Sequence, residues 1–166
     1  MATLVYIGLG SNLDHPRRHV ARAIAELARL PRSRIVAASP NYLSAPIDSG
    51  ESQPDYVNAV AALRTRLSPR ALLARMHAIE RRHRRTRARR NAPRTLDLDL
   101  LLFGRQRLRL SGLALPHPRM HQRAFVLTPL RDLAPTASVP GHGAVRRLLR
   151  SVRDQRIAPT RRHAWR

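Results

Sequence analysis

Between Arg94 and Gly104 the chain reads Thr-Leu-Asp-Leu-Asp-Leu-Leu-Leu-Phe, and this stretch restricts the fold more than any other. Leu96, Leu98, Leu100 and Leu102 recur at every second position, which is the period of a strand with one buried face. The spacing therefore predicts a strand over 95–103. The same period sends the carboxylates of Asp97 and Asp99 to one side of the sheet. Two anions side by side repel each other, so the pair suits a divalent cation. Hard oxygen donors, in a chain with no cysteine, favour magnesium held jointly by carboxylates and substrate phosphates. The competing reading is a solvated polar face, because alternation alone delivers polar residues to such positions.

The remaining pattern supplies the partners of that strand. Residues 3–9 are β-branched and aromatic and run into the turn cluster Gly10-Ser11-Asn12, so they read as a strand and a loop. Val20, Ile24 and Leu27 recur at helical spacing between Pro16 and Leu30. Residues 34–43 and 56–67 read as two further strands, separated by a Pro/Gly/Ser/Asp-rich loop over 44–55. Ser68-Pro69 is a helix start, and Leu72, Leu73, Met76 and Ile79 form its apolar stripe. The order is β-α-β-β-α-β, the ferredoxin-like split βαβ arrangement, so the fold class is α+β with an antiparallel sheet and both helices on one face. A C-terminal extension adds Pro116-His117-Pro118, an apolar stretch over 124–133 and a short helix near 145–152. Residues 1–166 read as one domain, its last dozen residues expected to fray.

Charge narrows the chemistry. All 32 basic residues are arginine, so no mechanism can use a lysine, and against 10 acidic residues they give a formal charge of +22. That charge attracts phosphates of some kind. Eight arginines fall within the 14 residues from Arg81 to Arg94. This run leads directly into the aspartate strand, which sets phosphate-clamping groups beside a metal site, the equipment of phosphoryl transfer; the bland alternative is a solvated loop. With few apolar residues and strong like charge, the run is expected to order only over bound ligands. Gly8-Leu9-Gly10-Ser11-Asn12-Leu13 lacks both the dinucleotide fingerprint and the P-loop, so a nucleotide must be held in another way. Tyr56 and Asn58 share a face of their strand and offer an aromatic plate and an amide to a flat heteroaromatic ring, unless they are simply a buried tyrosine with a satisfied asparagine.

Four strings resemble the motifs of the 6-hydroxymethyl-7,8-dihydropterin pyrophosphokinase family, in the family's order. They are Gly10-Ser11-Asn12-Leu13, Gln53-Pro54-Asp55-Tyr56-Val57-Asn58, Ala92-Pro93-Arg94-Thr95-Leu96-Asp97-Leu98-Asp99-Leu100, and the segment from Pro116 to Phe125. The resemblance implies that MgATP donates its β,γ-pyrophosphoryl group to the hydroxymethyl oxygen of the reduced pterin. AMP and the pterin pyrophosphate used in folate biosynthesis would be the products. It implies two magnesium ions on Asp97 and Asp99, a pterin ring between Tyr56 and Phe125, and pterin contacts from Asn58 and Ser44. Arg85 and Arg94 fall on the two catalytic arginines. Glu80, His117 and Arg123 fall on nucleotide contacts, as does Arg87 where it does not exchange roles with Arg85.

A small basic RNA-binding protein is the alternative from another class. It accounts for the charge but not for an aspartate pair inside a basic surface, nor for an aromatic content of only 4%. The N-terminus lacks the basic region of a signal peptide and no apolar run approaches membrane-spanning length, so a cytoplasmic monomer with no membrane or specific nucleic-acid partner is expected.

Overall fold

The β-branched opening forms β1 (Thr3–Ser11), and α1 (Pro16–Ala28) begins on Pro16, whose missing N–H costs nothing in a first turn. The computed structural model describes residues 1–47, 52–83 and 95–160. The single strand expected over 34–43 is two strands, β2 (Ser33–Ala38) and β3 (Tyr42–Ser44). Ser39-Pro40 makes the break. Pro40 has no N–H for a ladder, and Ser39 instead donates its N–H to Val60 O at 2.8 Å and accepts the Val60 N–H on Oγ at 2.9 Å. In β4 (Tyr56–Thr65) residues 57–63 are all buried, so both of its faces are covered. Ser68 caps α2 (Pro69–Arg82) by accepting the Ala71 N–H on Oγ at 3.1 Å, and β5 (Asp97–Phe103) carries the aspartates.

β1 lies between β4 and β5, while β2 and β3 pair along the other side of β4, all antiparallel. This is the expected α+β arrangement. One face packs Val5, Ile7, Leu9, Ala59, Ala61 and Leu63 against Val20, Ala23 and Leu27 of α1 and Leu72, Met76 and Ile79 of α2. Each fully buried Leu, Ile or Met there is worth about 1.5–3 kcal/mol.

The expectation that Leu102 shares a face with Leu98 and Leu100 fails. Ile7 is opposite Leu100 but Tyr6 is opposite Leu102, so Leu101 is the extra residue of a β-bulge and the side-chain alternation flips there. Leu101 and Leu102 pack on the second face with Val60, while Phe103 returns to the first. The Leu101 carbonyl accepts the His117 N–H at 2.9 Å, so the bulge ties the Pro116-His117-Pro118 segment to the end of the aspartate strand.

The chain beyond β5 forms a second layer. A hairpin, β6 (Leu108–Leu110) and β7 (Leu113–Leu115), turns at Ser111-Gly112 with Gly112 at φ 73°. Then come α3 (Ala124–Leu133), the short pair β8 (Ser138–Val139) and β9 (Gly143–Ala144), α4 (Val145–Leu148) with a 3₁₀ turn over Leu149–Val152, and β10 (Ile157–Pro159). Ala124, Leu127 and Leu130 of α3, with Val145 and Val152, cover the second face of the sheet. Of the last dozen residues, which the sequence expects to fray, Ile157–Pro159 form β10, which pairs with β3 and closes that edge, and 161–166 lie outside the described residues. Among the described residues no helix is long and apolar enough to cross a membrane.

Candidate active site

The register of the three central strands brings the site together. Gly10 of β1 is opposite Asn58 of β4 on one side and Asp97 of β5 on the other, and Gly8 is opposite Val60 and Asp99. All these positions point to the face of α3. The two glycines were not singled out as site residues, although glycine inside a β-branched strand signals close approach. A Cβ on Gly10 would lie 3.2 Å from Asn58 Oδ1, so the glycine leaves open the floor between the amide and the carboxylate.

Above that floor is a cavity of about 140 Å³, lined by Gly8, Gly10, Ser44, Tyr56, Asn58, Asp97, Asp99, Arg123 and Phe125, with Ala45, Pro46, Ile47 and Arg119 at its rim. The four pterin-side residues suggested by the resemblance, Ser44, Tyr56, Asn58 and Phe125, therefore converge. Asn58 Nδ2 donates to Ser44 Oγ at 2.6 Å, with both residues buried. Just before Tyr56 the chain is anchored by Asn12, whose Nδ2 donates to Gln53 Oε1 at 2.8 Å and Pro54 O at 3.1 Å. Two of the quoted motifs are thus fastened to each other. Arg119 was missed, although it stands in the Pro116–Phe125 string.

A second cavity, about 480 Å³, opens on the other side of β5, between α2 and the β6–β7 hairpin. His77, Glu80, Leu98, Gly112 and His117 line it, and so do Asp97 and Asp99. The sequence does not single out His77. Glu80 is only 2% exposed, and its Oε2 accepts the Leu98 N–H at 3.1 Å, between the two aspartates. Arg85, Arg87 and Arg94 lie outside the described residues, as does most of the run expected to order over ligands.

Around the aspartates the electrostatics are specific. His117 Nδ1 accepts the Arg119 N–H at 3.2 Å, so the neutral ring carries its proton on Nε2, 3.7 Å from Asp99 Oδ1. Burial, reinforced by Arg123 and Arg119 against the pull of Asp97, pushes His117 down to about 4. Near neutral pH His117 is therefore a neutral donor and not half of an ion pair. Arg123 Nη1 is 3.9 Å from Asp99 Oδ2, and its guanidinium lies 5.4 Å from the centre of the Phe125 ring, which links the two sides of the site. The aspartates are half-buried, and among the described residues no third carboxylate or imidazole makes a protein-only cage with them. Two hard oxygen donors at the junction of two cavities leave the rest of an octahedron to phosphate and water, a donor set that fits magnesium.

Comparison with known proteins agrees with this geometry. Residues 6–135 match the family described as 7,8-dihydro-6-hydroxymethylpterin-pyrophosphokinase (HPPK). The 2-amino-4-hydroxy-6-hydroxymethyldihydropteridine pyrophosphokinase of Pseudomonas aeruginosa is 51% identical over 140 residues, covering 84% of this chain and 86% of that protein. The protein of the same name from Haemophilus influenzae is 39% identical over 152 residues, covering 92% of this chain and 94% of that protein. The fold is similar to a crystal structure of Plasmodium falciparum HPPK-DHPS with pterin and p-hydroxybenzoate, at a TM-score of 0.69 and 13% identity over 90% of this chain, although the chain spans only 43% of that one. The chain belongs to the 7,8-dihydro-6-hydroxymethylpterin-pyrophosphokinase family.

Proposed function

We propose that this chain transfers the β,γ-pyrophosphoryl group of MgATP to the hydroxymethyl oxygen of 6-hydroxymethyl-7,8-dihydropterin, giving AMP and the pterin pyrophosphate that folate biosynthesis uses. The observation that carries the reading is that two cavities of different character share one pair of carboxylates, Asp97 and Asp99. In the smaller cavity Tyr56 and Phe125 supply the walls for a flat ring, and Asn58, its amide held by Ser44, pairs with the ring's polar edge. The larger cavity takes the nucleotide, with Glu80 and His117 facing it, Arg123 reaching its phosphates from the smaller cavity beside Asp99, and Arg87 contributing from the arginine run. The hydroxymethyl oxygen then forms its bond to Pβ and gives up its hydroxyl proton to solvent as the bond from Pβ to the oxygen on Pα breaks, and AMP leaves with that oxygen.

Asp97 and Asp99 would hold two magnesium ions, whose charge would neutralise the triphosphate. Arg123 bridges the two sides, within reach of Asp99 and over the Phe125 ring, so it orients the phosphate against the acceptor. His117, neutral and donating from Nε2, hydrogen-bonds a phosphate oxygen without adding charge. Arg85 and Arg94 stabilise the charge that redistributes on the transferred group. Incubation with MgATP and the hydroxymethyl dihydropterin should release AMP and the pterin pyrophosphate in equal amounts. ADP as product, or no turnover, overturns the reading.

A further inference from the structure

α1 and α2 are joined by a buried polar chain that the reaction as described does not use. His83, the residue that ends α2, has a fully buried side chain; its Nε2 is 2.7 Å from Glu26 Oε2 of α1 and its Nδ1 is 2.6 Å from Nδ1 of His19, also of α1. Glu26 is an acceptor, so His83 carries a proton on Nε2, and a single proton lies between the two Nδ1 atoms. His19 Nε2 faces Asp14 Oδ2 at 3.8 Å and Arg82 Nε is 3.5 Å from Glu26 Oε1. With Arg22, these are the charged groups facing the pair among the described residues.

We infer that His83, with Glu26 and His19, is a positioning residue for pyrophosphoryl transfer: it pins the last turn of α2 to α1, and that turn holds the strand of Asp97 and Asp99 through Glu80. The inference rests on the proposed function for its catalytic half only. The mechanical link is short. Glu80 lies one helical turn before His83, the His83 N–H bonds back to the Glu80 and Ile79 carbonyls, and Glu80 Oε2 accepts the Leu98 N–H between the two aspartates. An apolar pair would have packed α1 against α2 without desolvating two imidazoles and a carboxylate, so geometry fixed by hydrogen bonds is what the polar chain adds.

The proton count makes the pin sensitive to acid. One added proton is taken on His19 Nε2, opposite Asp14, and both short bonds survive. A second must go between the Nδ1 atoms, where it turns the acceptor into a donor and breaks the bond. Burial and the neighbouring His83 and Arg22 hold His19 below its ordinary value despite Asp14, so His19 is neutral and the pin intact at neutral pH; the state that releases it is the doubly protonated pair, two cations facing each other at 2.6 Å, which forms only in acid.

Two variants test this in the full chain. His83→Leu should lower kcat for AMP formation at least tenfold at pH 8 while changing either KM less than twofold. His83→Gln, which can accept from His19 and donate to Glu26 without titrating, should restore most of that turnover and lose the acid limb of the wild-type kcat profile. Independently of turnover, the Leu98 amide of wild type should exchange faster with solvent than that of His83→Gln at pH 5, and equally at pH 8. Identical pH profiles and Leu98 exchange in wild type and His83→Gln would overturn the inference, whether or not His83→Leu folds. A wild type with no pyrophosphokinase activity would overturn the proposed function instead, and Leu98 exchange would still decide whether the pin exists.

Discussion

Removing the Asn58 amide should cost pterin affinity and leave ATP affinity alone, and Ser44 should share in that cost. Asn58 is 4% exposed and Ser44 5%, and the 2.6 Å bond between them commits Nδ2 and holds Oδ1 over the Gly10 floor. Asn58→Ala leaves a buried polar edge of the ligand without its partner, which costs about 1–3 kcal/mol, roughly a 5- to 150-fold rise in pterin Kd. Ser44→Ala leaves the amide in place but frees it to turn, so its cost should be smaller, about 0.5–1.5 kcal/mol. If Ser44 acts by orienting Asn58, adding Ser44→Ala to Asn58→Ala costs almost nothing, and the cycle shows a coupling of about 0.5–1.5 kcal/mol. Calorimetric titration of the pterin in the presence of a non-hydrolysable MgATP analogue reads all four corners. Additive losses would refute the orienting role, and an equal fall in ATP affinity would refute the assignment of the smaller cavity to the pterin.

Asp97→Asn and Asp99→Asn should each lower turnover at least about a hundredfold, and differential scanning fluorimetry should show magnesium with ATP raising the thermal midpoint of the wild type but of neither variant. Gly10→Ala puts a methyl group 3.2 Å from Asn58 Oδ1, so steady-state kinetics should show KM for the pterin rising severalfold with KM for ATP little changed. Tyr42 donates its hydroxyl to Asp132, and burial together with that carboxylate raises its pKa to about 12. Since the folded value exceeds the unfolded one, the contribution is full below pH 10 and lost between pH 10 and 12. Urea titrations should therefore show about 2–3 kcal/mol of stability disappearing over that window, and Tyr42→Phe should lose much less.

The parts of the fold that were readable are those whose residues carry a period or a breaker. Val20 and Leu27, Ser68-Pro69, and Leu98 with Leu100 each define a face or an end locally, and the structure uses them so. The bulge at Leu101 has no local signal, because Leu100-Leu101-Leu102 are equally apolar and only the pairing with Tyr6 and Ile7 reveals which one is extra. Pro40 did carry a signal, the missing donor that divides β2 from β3, and so did Ser111-Gly112 between two leucine pairs. β10 had none, since three residues without alternation are recruited only by the free edge of β3. At the site the pattern was the same. Side chains with chemistry of their own stood out, whereas Gly8 and Gly10 matter through what they leave empty, and Glu80 through a bond to a backbone N–H.

Net charge decides little of this chemistry, and register decides much of it. A charge of +22 draws in ATP as readily as nucleic acid, so it selects no reaction. The row Asn58, Gly10, Asp97 would select, because it fixes the distance between the amide proposed to recognise the ring and the carboxylates proposed to hold the metal. Neighbouring strands are about 4.8 Å apart, so Asn58 and Asp97 stand roughly 9.6 Å apart across β4, β1 and β5. On the proposed reading that span holds a bicyclic ring with its one-carbon substituent, its edge at Asn58 and its hydroxyl at the aspartates. Gly10 in the middle of the row keeps the distance unobstructed. A larger residue there would lift the ring from the sheet and move the hydroxyl off line with the phosphate, even if all the recognition groups survived. The glycine therefore belongs to the specificity of the site as much as Asn58 does.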